Sequence, residues 1–322
     1  MPPWSKDFLL LSYLFATCWL ITCQDHPSNP YIRTKKLKEA LLWEINTGAF
    51  IHTRHTPLKI RRHCKQLFTS KNENPAWPPP KMMPEELRLN FTLHNAIPVF
   101  DWYIAEKQNG GNGYHWPKSL IQQYITERLS DNLITQTCYN QPECWQAVLS
   151  HPVSGKRGIV FGSQTPWAES LLLAANASEI LTYEYMKIKS DDSRITTVTP
   201  SEVAVDFLRG TFLNYDFGFT YSSFEHDGLG RYGDPLNPFG DIESVNKASC
   251  LIKPGGYLFL GIPVGPDALV WNAHRIYGRL RIPLLVAGWD IIDIVGDYDL
   301  NGQAYERHIH QPIFILRNRR PT

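Results

Sequence analysis

The 322-residue chain lacks a dominant charge: 32 Lys and Arg against 31 Asp and Glu leave a net charge of +1 and an isoelectric point near 7.7. So even a balance gives no electrostatic footprint for nucleic acid. No segment repeats at a solenoid period, which excludes a repeat array. No Cys-x-x-Cys pair and no His pair at ligand spacing accompanies the cysteines, so a structural zinc site is not expected and no metal ligands are assigned. The longest apolar run, Phe8 to Cys23, falls short of the ~20 residues that a spanning helix needs. Disorder is also excluded, because 12% of the residues are aromatic.

What is present begins with that run. Lys6 precedes it and Gln24-Asp25-His26 follows, the layout of a signal peptide cleaved after Cys23. A signal anchor is the alternative, disfavoured by Arg33, Lys35, Lys36 and Lys38 just downstream. Residues 1–23 are thus expected to send the body into the secretory pathway, secreted or lumenal, with membrane contact only through this segment if it stays uncleaved. The sequons Asn90-Phe91-Thr92 and Asn176-Ala177-Ser178 agree with a glycoprotein. Cys64, Cys138, Cys144 and Cys250 remain outside the leader, and an even number in an oxidising compartment suggests disulfides. Proximity favours Cys138 with Cys144, which leaves Cys64 with Cys250.

Residues 24–84 read as a basic, Pro-rich approach segment. Thr34 to Phe50 has the spacing of an amphipathic helix, and Arg54, Lys59, Arg61, Arg62 and Lys65 form a solvated basic run. Asn74-Pro75-Ala76-Trp77-Pro78-Pro79-Pro80 forces extended chain, and the domain boundary is placed there. Residues 85–154 are a mixed lead-in with helices expected at Lys118–Leu129 and around Glu143–Leu149.

From residue 155 the pattern is α/β. Ile159-Val160-Phe161 is a short buried strand stopped by Gly162. Ser163 or Thr165 is positioned to cap a helix that has Pro166 in its first turn, and Leu171 to Ala175 continues it. Ile180 to Tyr183 is the next strand, ending on Glu184. A right-handed crossover makes the pair parallel. Further strands are expected at Ile195–Val198, Tyr215–Ser222, Tyr257–Pro263, Trp289–Val295 and Gln311–Leu316. Helices are expected from Ser201 and over Asp241–Leu251, with a turn at Lys253–Gly256. The last two strands are joined by a short polar connection that suits an antiparallel hairpin at the sheet edge.

Leu251-Ile252-Lys253-Pro254-Gly255-Gly256-Tyr257 resembles the Leu-x-Lys-Pro-Gly-Gly signature of class I S-adenosylmethionine-dependent methyltransferases. Tyr215-Asp216 opening a strand that exits at Glu225-His226 is similar to the fourth strand of those enzymes. More narrowly, Gly162-Ser163-Gln164-Thr165-Pro166-Trp167, the loop from Glu225 to Pro238, and Asn272-Ala273-His274-Arg275-Ile276-Tyr277-Gly278 look like a nematode-expanded domain family of unknown function. The resemblance covers about residues 155 to 317. It implies a doubly wound, mostly parallel Rossmann-like sheet of about seven strands with an antiparallel C-terminal hairpin. It also implies S-adenosylmethionine as cofactor. This chain departs from the methyltransferase pattern at the first turn, where Gly162 alone stands in for a Gly-x-Gly-x-Gly run.

Ligands of doubly wound sheets sit outside the carboxyl ends of the strands. Gly162, Ser163, Gln164, Glu184 and Glu225 are the candidate cofactor-binding residues there. Glu184 lies about 20 residues past the first turn, the offset at which an acid takes a ribose diol. His226 is the candidate base for methyl transfer to a hydroxylated small molecule or glycan, with Asp227 or Asp234 orienting it and His274 on a neighbouring exit. Arg275 is read as closing the fold. Asp191-Asp192 is read as surface charge. A descendant of the fold that binds a nucleotide, sugar or protein partner without catalysis is the alternative.

Overall fold

A computed structural model describes residues 63–69, 78–104, 114–130, 142–300 and 310–320. The leader, the expected Thr34–Phe50 helix and Cys138 lie outside the described residues. The helices are α1 (Cys64–Thr69), α2 (Glu85–Phe91), α3 (Lys118–Leu129), α4 (Pro142–Ser150), α5 (Trp167–Ala174), α6 (Pro200–Arg209), α7 (Gly240–Leu251) and α8 (Arg281–Leu285). The strands are β1 (Val99–Asp101), β2 (Tyr114–Trp116), β3 (Arg157–Phe161), β4 (Glu179–Tyr183), β5 (Ile188–Ser190), β6 (Ile195–Val198), β7 (Tyr215–Tyr221), β8 (Ile252–Gly261), β9 (Ala268–Trp271), β10 (His274–Ile276), β11 (Trp289–Val295) and β12 (Ile313–Asn318). None of the described helices is long and apolar enough to cross a membrane.

Seven strands form one sheet in the order β11-β12-β8-β7-β3-β4-β6. Every pair from β8 to β6 is parallel, and β12 runs antiparallel between β8 and β11. The C-terminal hairpin is therefore present, but its second strand is inserted into the sheet and β11 takes the edge. This is the doubly wound, methyltransferase-like α/β fold.

Strand alternation decides which face each side chain joins. Ile159 and Phe161 of β3 pack with α1, α6, α7 and α8, while Val160 between them packs with α3, α4 and α5. Leu258 and Leu260 divide from Phe259 on β8 in the same way. Each such side chain, fully buried, is worth about 1.5–3 kcal/mol. β8 begins five residues earlier than the sequence suggests. The Lys-Pro-Gly-Gly turn is absorbed into the strand as an irregularity in its pairing with β7, where the ladder steps from Tyr215 to Phe217.

Two small sheets stand beside the main one: β1-β9-β10 and β2-β5. Their strands are three or four residues long, too short for a periodicity to show in the sequence. Asn272 extends the first, its side chain exchanging hydrogen bonds with the Ile104 amide (2.8 Å) and carbonyl (2.9 Å). Pro79 and Pro80 are tied to this sheet, since the Trp271 indole donates to the Pro80 carbonyl at 3.2 Å and the Tyr103 hydroxyl to that of Pro79 at 2.7 Å.

Candidate ligand cleft

The exits of β3, β4 and β7 converge on one rim, as parallel pairing requires. Gly162 follows β3 at φ +74°, a left-handed conformation open to glycine, and a Cβ there would overlap the Ser223 hydroxyl. That crowding joins the first turn to the β7 exit and leaves no room for a side chain at this position. The helix beyond is not capped as expected. Pro166 occupies the N-cap of α5 without a side-chain hydrogen bond. The Ser163 hydroxyl instead donates to the Thr165 carbonyl (2.8 Å) and meets Glu169 Oε2 (3.0 Å).

Glu169 went unnoticed in the sequence. It is fully buried beneath the turn, Thr182 Oγ1 donates to its other oxygen at 2.7 Å, and burial pushes its carboxyl up to about 7. Its one visible signal is a lone acid inside an otherwise apolar helical run. Gln164 is exposed, and its carbonyl accepts the Trp116 indole N–H at 3.1 Å. Trp167 is buried edge-on against Phe219 and Tyr221 and does not line the cleft.

Glu184 stands where the ribose-binding acid is expected, but the chain itself uses its oxygens. They accept backbone N–H groups of Ser163 (2.9 Å), Tyr185 (2.7 Å) and Met186 (3.3 Å). A carboxylate has about four lone-pair sites, so roughly one is left and a bidentate grip on a diol is not available. The Ser163 amide that would face a cofactor is spent in the same bond. Gly162, Ser163, Gln164 and Glu184 are thus brought together, yet they do not fit S-adenosylmethionine in the manner that the methyltransferase resemblance implies.

The catalytic set is divided. His226 lies in a single 3₁₀ turn (Phe224–His226), buried, with Nδ1 2.6 Å from the Ala273 carbonyl oxygen. Neither Asp227 nor Asp234 orients it. Asp234 is turned inward to accept the amides of Gly228 (2.6 Å), Gly230 (3.1 Å) and Tyr232 (3.3 Å), bracing its own loop. The ring neighbours of His226 are Tyr232 (centroids 5.5 Å apart) and His274 (6.4 Å). Burial holds both imidazoles below the ordinary range, His274 at about 4. Glu225, 1% exposed, lies 3.7 Å from His226 Nε2, and burial pushes it up to about 7. Glu225, His226 and His274 are thus gathered in a buried cluster beneath the rim, the two imidazoles uncharged at neutral pH.

Arg275 closes the fold as expected. Its guanidinium donates to the carbonyls of Asp227 (2.6 Å), Glu225 (3.3 Å) and Asn237 (3.4 Å), and Asp241 lies 3.8 Å from its Nε. Asp241 also takes a two-pronged bond from Arg281, both contacts 2.7 Å. Asp192 is not surface charge but buried, held by Arg194 through both oxygens. No group of three or more His, Cys, Asp or Glu among the described residues could hold a metal ion.

Between these parts a cleft opens to solvent, about 350 Å³ counting the open space, lined by Phe161, Gly162, Tyr183, Tyr185, Phe224, Asp227, Ser244 and Lys247. Of the predicted residues it takes only Gly162 and Asp227. Burial pushes the Asp227 carboxyl up to about 8, against the donated Ser244 hydroxyl, so it is mostly protonated at neutral pH. The Tyr183 phenol is also raised by burial. The Lys247 ammonium has no hydrogen-bond partner among the described residues. Tyr183 and Tyr185 flank Glu184 and were legible as its neighbours, whereas Ser244 and Lys247, three apart on α7, adjoin no residue that the sequence singles out.

Residues 155–310 match the family described as Caenorhabditis protein of unknown function, DUF268. No curated protein matches the chain. Similar solved structures include the 1,6-didemethyltoxoflavin-N1-methyltransferase of Burkholderia thailandensis with bound S-adenosylhomocysteine, 12% identical over 67% of this chain and 99% of that one, TM-score 0.41. N-methyltransferase NodS of Bradyrhizobium japonicum is 15% identical over 62% and 98%, TM-score 0.38. The [4+2]-cyclase SpnF is 13% identical over 69% and 98%, TM-score 0.38. At these scores the likenesses carry no argument about function.

Proposed function

We propose that this chain, which matches a Caenorhabditis family of unknown function over residues 155–310 and has a methyltransferase-like fold, binds an anionic nucleotide in the cleft as a non-catalytic descendant of that fold. The observation that carries the reading is the lining itself. Two tyrosine rings offer stacking surface, and the Lys247 ammonium offers a charge for phosphate. Protonated Asp227 and the Ser244 hydroxyl add polar contacts for a base or sugar edge. Methyl transfer through His226 receives no support from this arrangement, because His226 is absent from the lining and its ring is held by Ala273.

Calorimetric titration separates the readings. Nucleoside diphosphates are expected to bind saturably, with affinity falling at least tenfold in Lys247→Ala and Tyr185→Ala. S-adenosylmethionine and S-adenosylhomocysteine are expected to bind weakly or not at all. Tighter binding of either, lost in Glu184→Ala, would replace this reading with methyl transfer to a hydroxylated acceptor.

The protein is further proposed to work in the secretory pathway as a glycoprotein. The leader, the Cys64–Cys250 disulfide and the exposure of Asn90 and Asn176 support this. Asn176 sits in the turn between α5 and β4, on the rim opposite the cleft, so a glycan there leaves the cleft open. Secretion from animal cells with a glycosidase-sensitive mass, reduced in Asn176→Gln, is the expected result. Retention in the cytosol without glycan would defeat it.

A further inference from the structure

The disulfide joins Cys64 of α1 to Cys250 of α7, 186 residues apart in sequence. Helix α7 is also the helix that carries Ser244 and Lys247 into the cleft. Lys247 and Cys250 are three residues apart, so they stand on neighbouring positions of one helix face. Besides the bridge, α1 is held chiefly by Leu67 and Phe68, which enter the apolar face shared by α6 and α7; the Phe68 ring lies 4.4 Å from Phe207. The six-residue helix is too short to persist alone. Cys64 is half-buried whereas Cys250 is 4% exposed, so Cys64 is the more accessible partner of the bridge. The Arg320 guanidinium donates to Cys64 Sγ at 2.7 Å and to Ser249 Oγ at 2.6 Å, placing a cation at the Cys64 sulfur.

We infer that α1 is a redox-released strap: thiol reduction of Cys64–Cys250 frees it from α7 and loosens the cleft wall that α7 supplies. The cleft's response rests on the nucleotide reading above; the release of α1 does not. A dithiol reductant provides the electrons. Its thiolate, drawn by Arg320, attacks Cys64 Sγ, forming a mixed disulfide and expelling Cys250 as a thiolate that then takes a proton. The reductant's second thiol, giving up its proton, attacks the reductant's first sulfur in that mixed bond, and Cys64 leaves as a thiolate that takes up a proton. One disulfide is reduced to two thiols and the dithiol is oxidised to a disulfide, a two-electron exchange.

Hydrogen exchange of the full chain, oxidised and after dithiothreitol, tests this without any ligand. Exchange of α1 and α7 amides is expected to rise at least tenfold on reduction while β3, β7 and β8 remain protected. The double variant Cys64→Ser, Cys250→Ser should match the reduced protein with no reductant added. Arg320→Gln should slow reduction severalfold. Nucleotide affinity is expected to fall at least tenfold in the reduced state. Unchanged α7 exchange, or loss of the whole sheet in the same step, overturns the strap. Raised α7 exchange with no nucleotide bound in either state keeps the strap and removes the nucleotide reading instead.

Discussion

Single ionisable residues decide how this protein responds to pH. Glu169, Glu225 and Asp227 have folded-state values of about 7, 7 and 8, raised above their ordinary ones by burial. A raised carboxyl stabilises the fold most below its unfolded value, and that stabilisation is lost as pH climbs to the folded value. His226 and His274 act oppositely: their values are depressed, so their contribution is complete above the unfolded histidine value of ~6.5 and lost as pH falls. The two groups offset each other at lower pH. Between about pH 6.5 and 8 the carboxyls act alone, so stability should decrease as pH rises through that window. Urea midpoints across it, compared with Glu169→Gln, check this; the variant should lose about 1 kcal/mol less than the parent over the window. An equal loss in both would show that Glu169 is ionised in the fold. None of these values was legible beforehand, because an acid in a helix or loop looks the same whether its neighbours solvate it or bury it.

Elements fared better. The seven strands of the main sheet were anticipated, as were α3 to α7, because short β-forming apolar runs alternate with helix-forming runs between turn residues. Helix α6 also carries its boundaries in local chemistry. Thr199 and Glu202 complete a capping box, and Gly210 ends the helix at φ +75°. Thr199→Ala should cost about 1 kcal/mol by chemical denaturation. Gly162→Ala is a different test, since the added methyl meets both a left-handed backbone and Ser223. A loss of about 1–3 kcal/mol is expected, with any cleft ligand lost as well. The three-residue strands and the 3₁₀ turn that holds His226 were missed. Such pieces exist only because a partner strand or a guanidinium waits for them.

At the scale of the whole molecule, long-range ties shape the rim. Arg275 is 1% exposed and clamps three carbonyls of the loop from Glu225 to Asn237 while sharing Asp241 with Arg281. Arg275→Ala should cost about 3–5 kcal/mol, because it leaves those carbonyls and part of the Asp241 charge unpaired in a dry interior. Thermal unfolding would show it, and a shift of only a degree or two would mean the loop is held elsewhere. The disulfide closes a loop of 186 residues, for which chain entropy alone gives roughly 5 kcal/mol, an upper figure if α1 is released before the sheet melts.

The order of strands and helices, the two-sided core and the location of a rim were written in the sequence, because burial periodicity is a local property that each segment expresses by itself. Which groups remain available on that rim was decided only by folding. Glu184 keeps the expected place but spends its oxygens on the amides of Ser163, Tyr185 and Met186, and His226 keeps its exit loop but turns its ring to Ala273. A donor's position follows from its own stretch of chain. Whether it is already satisfied depends on partners that only tertiary packing brings within hydrogen-bonding distance.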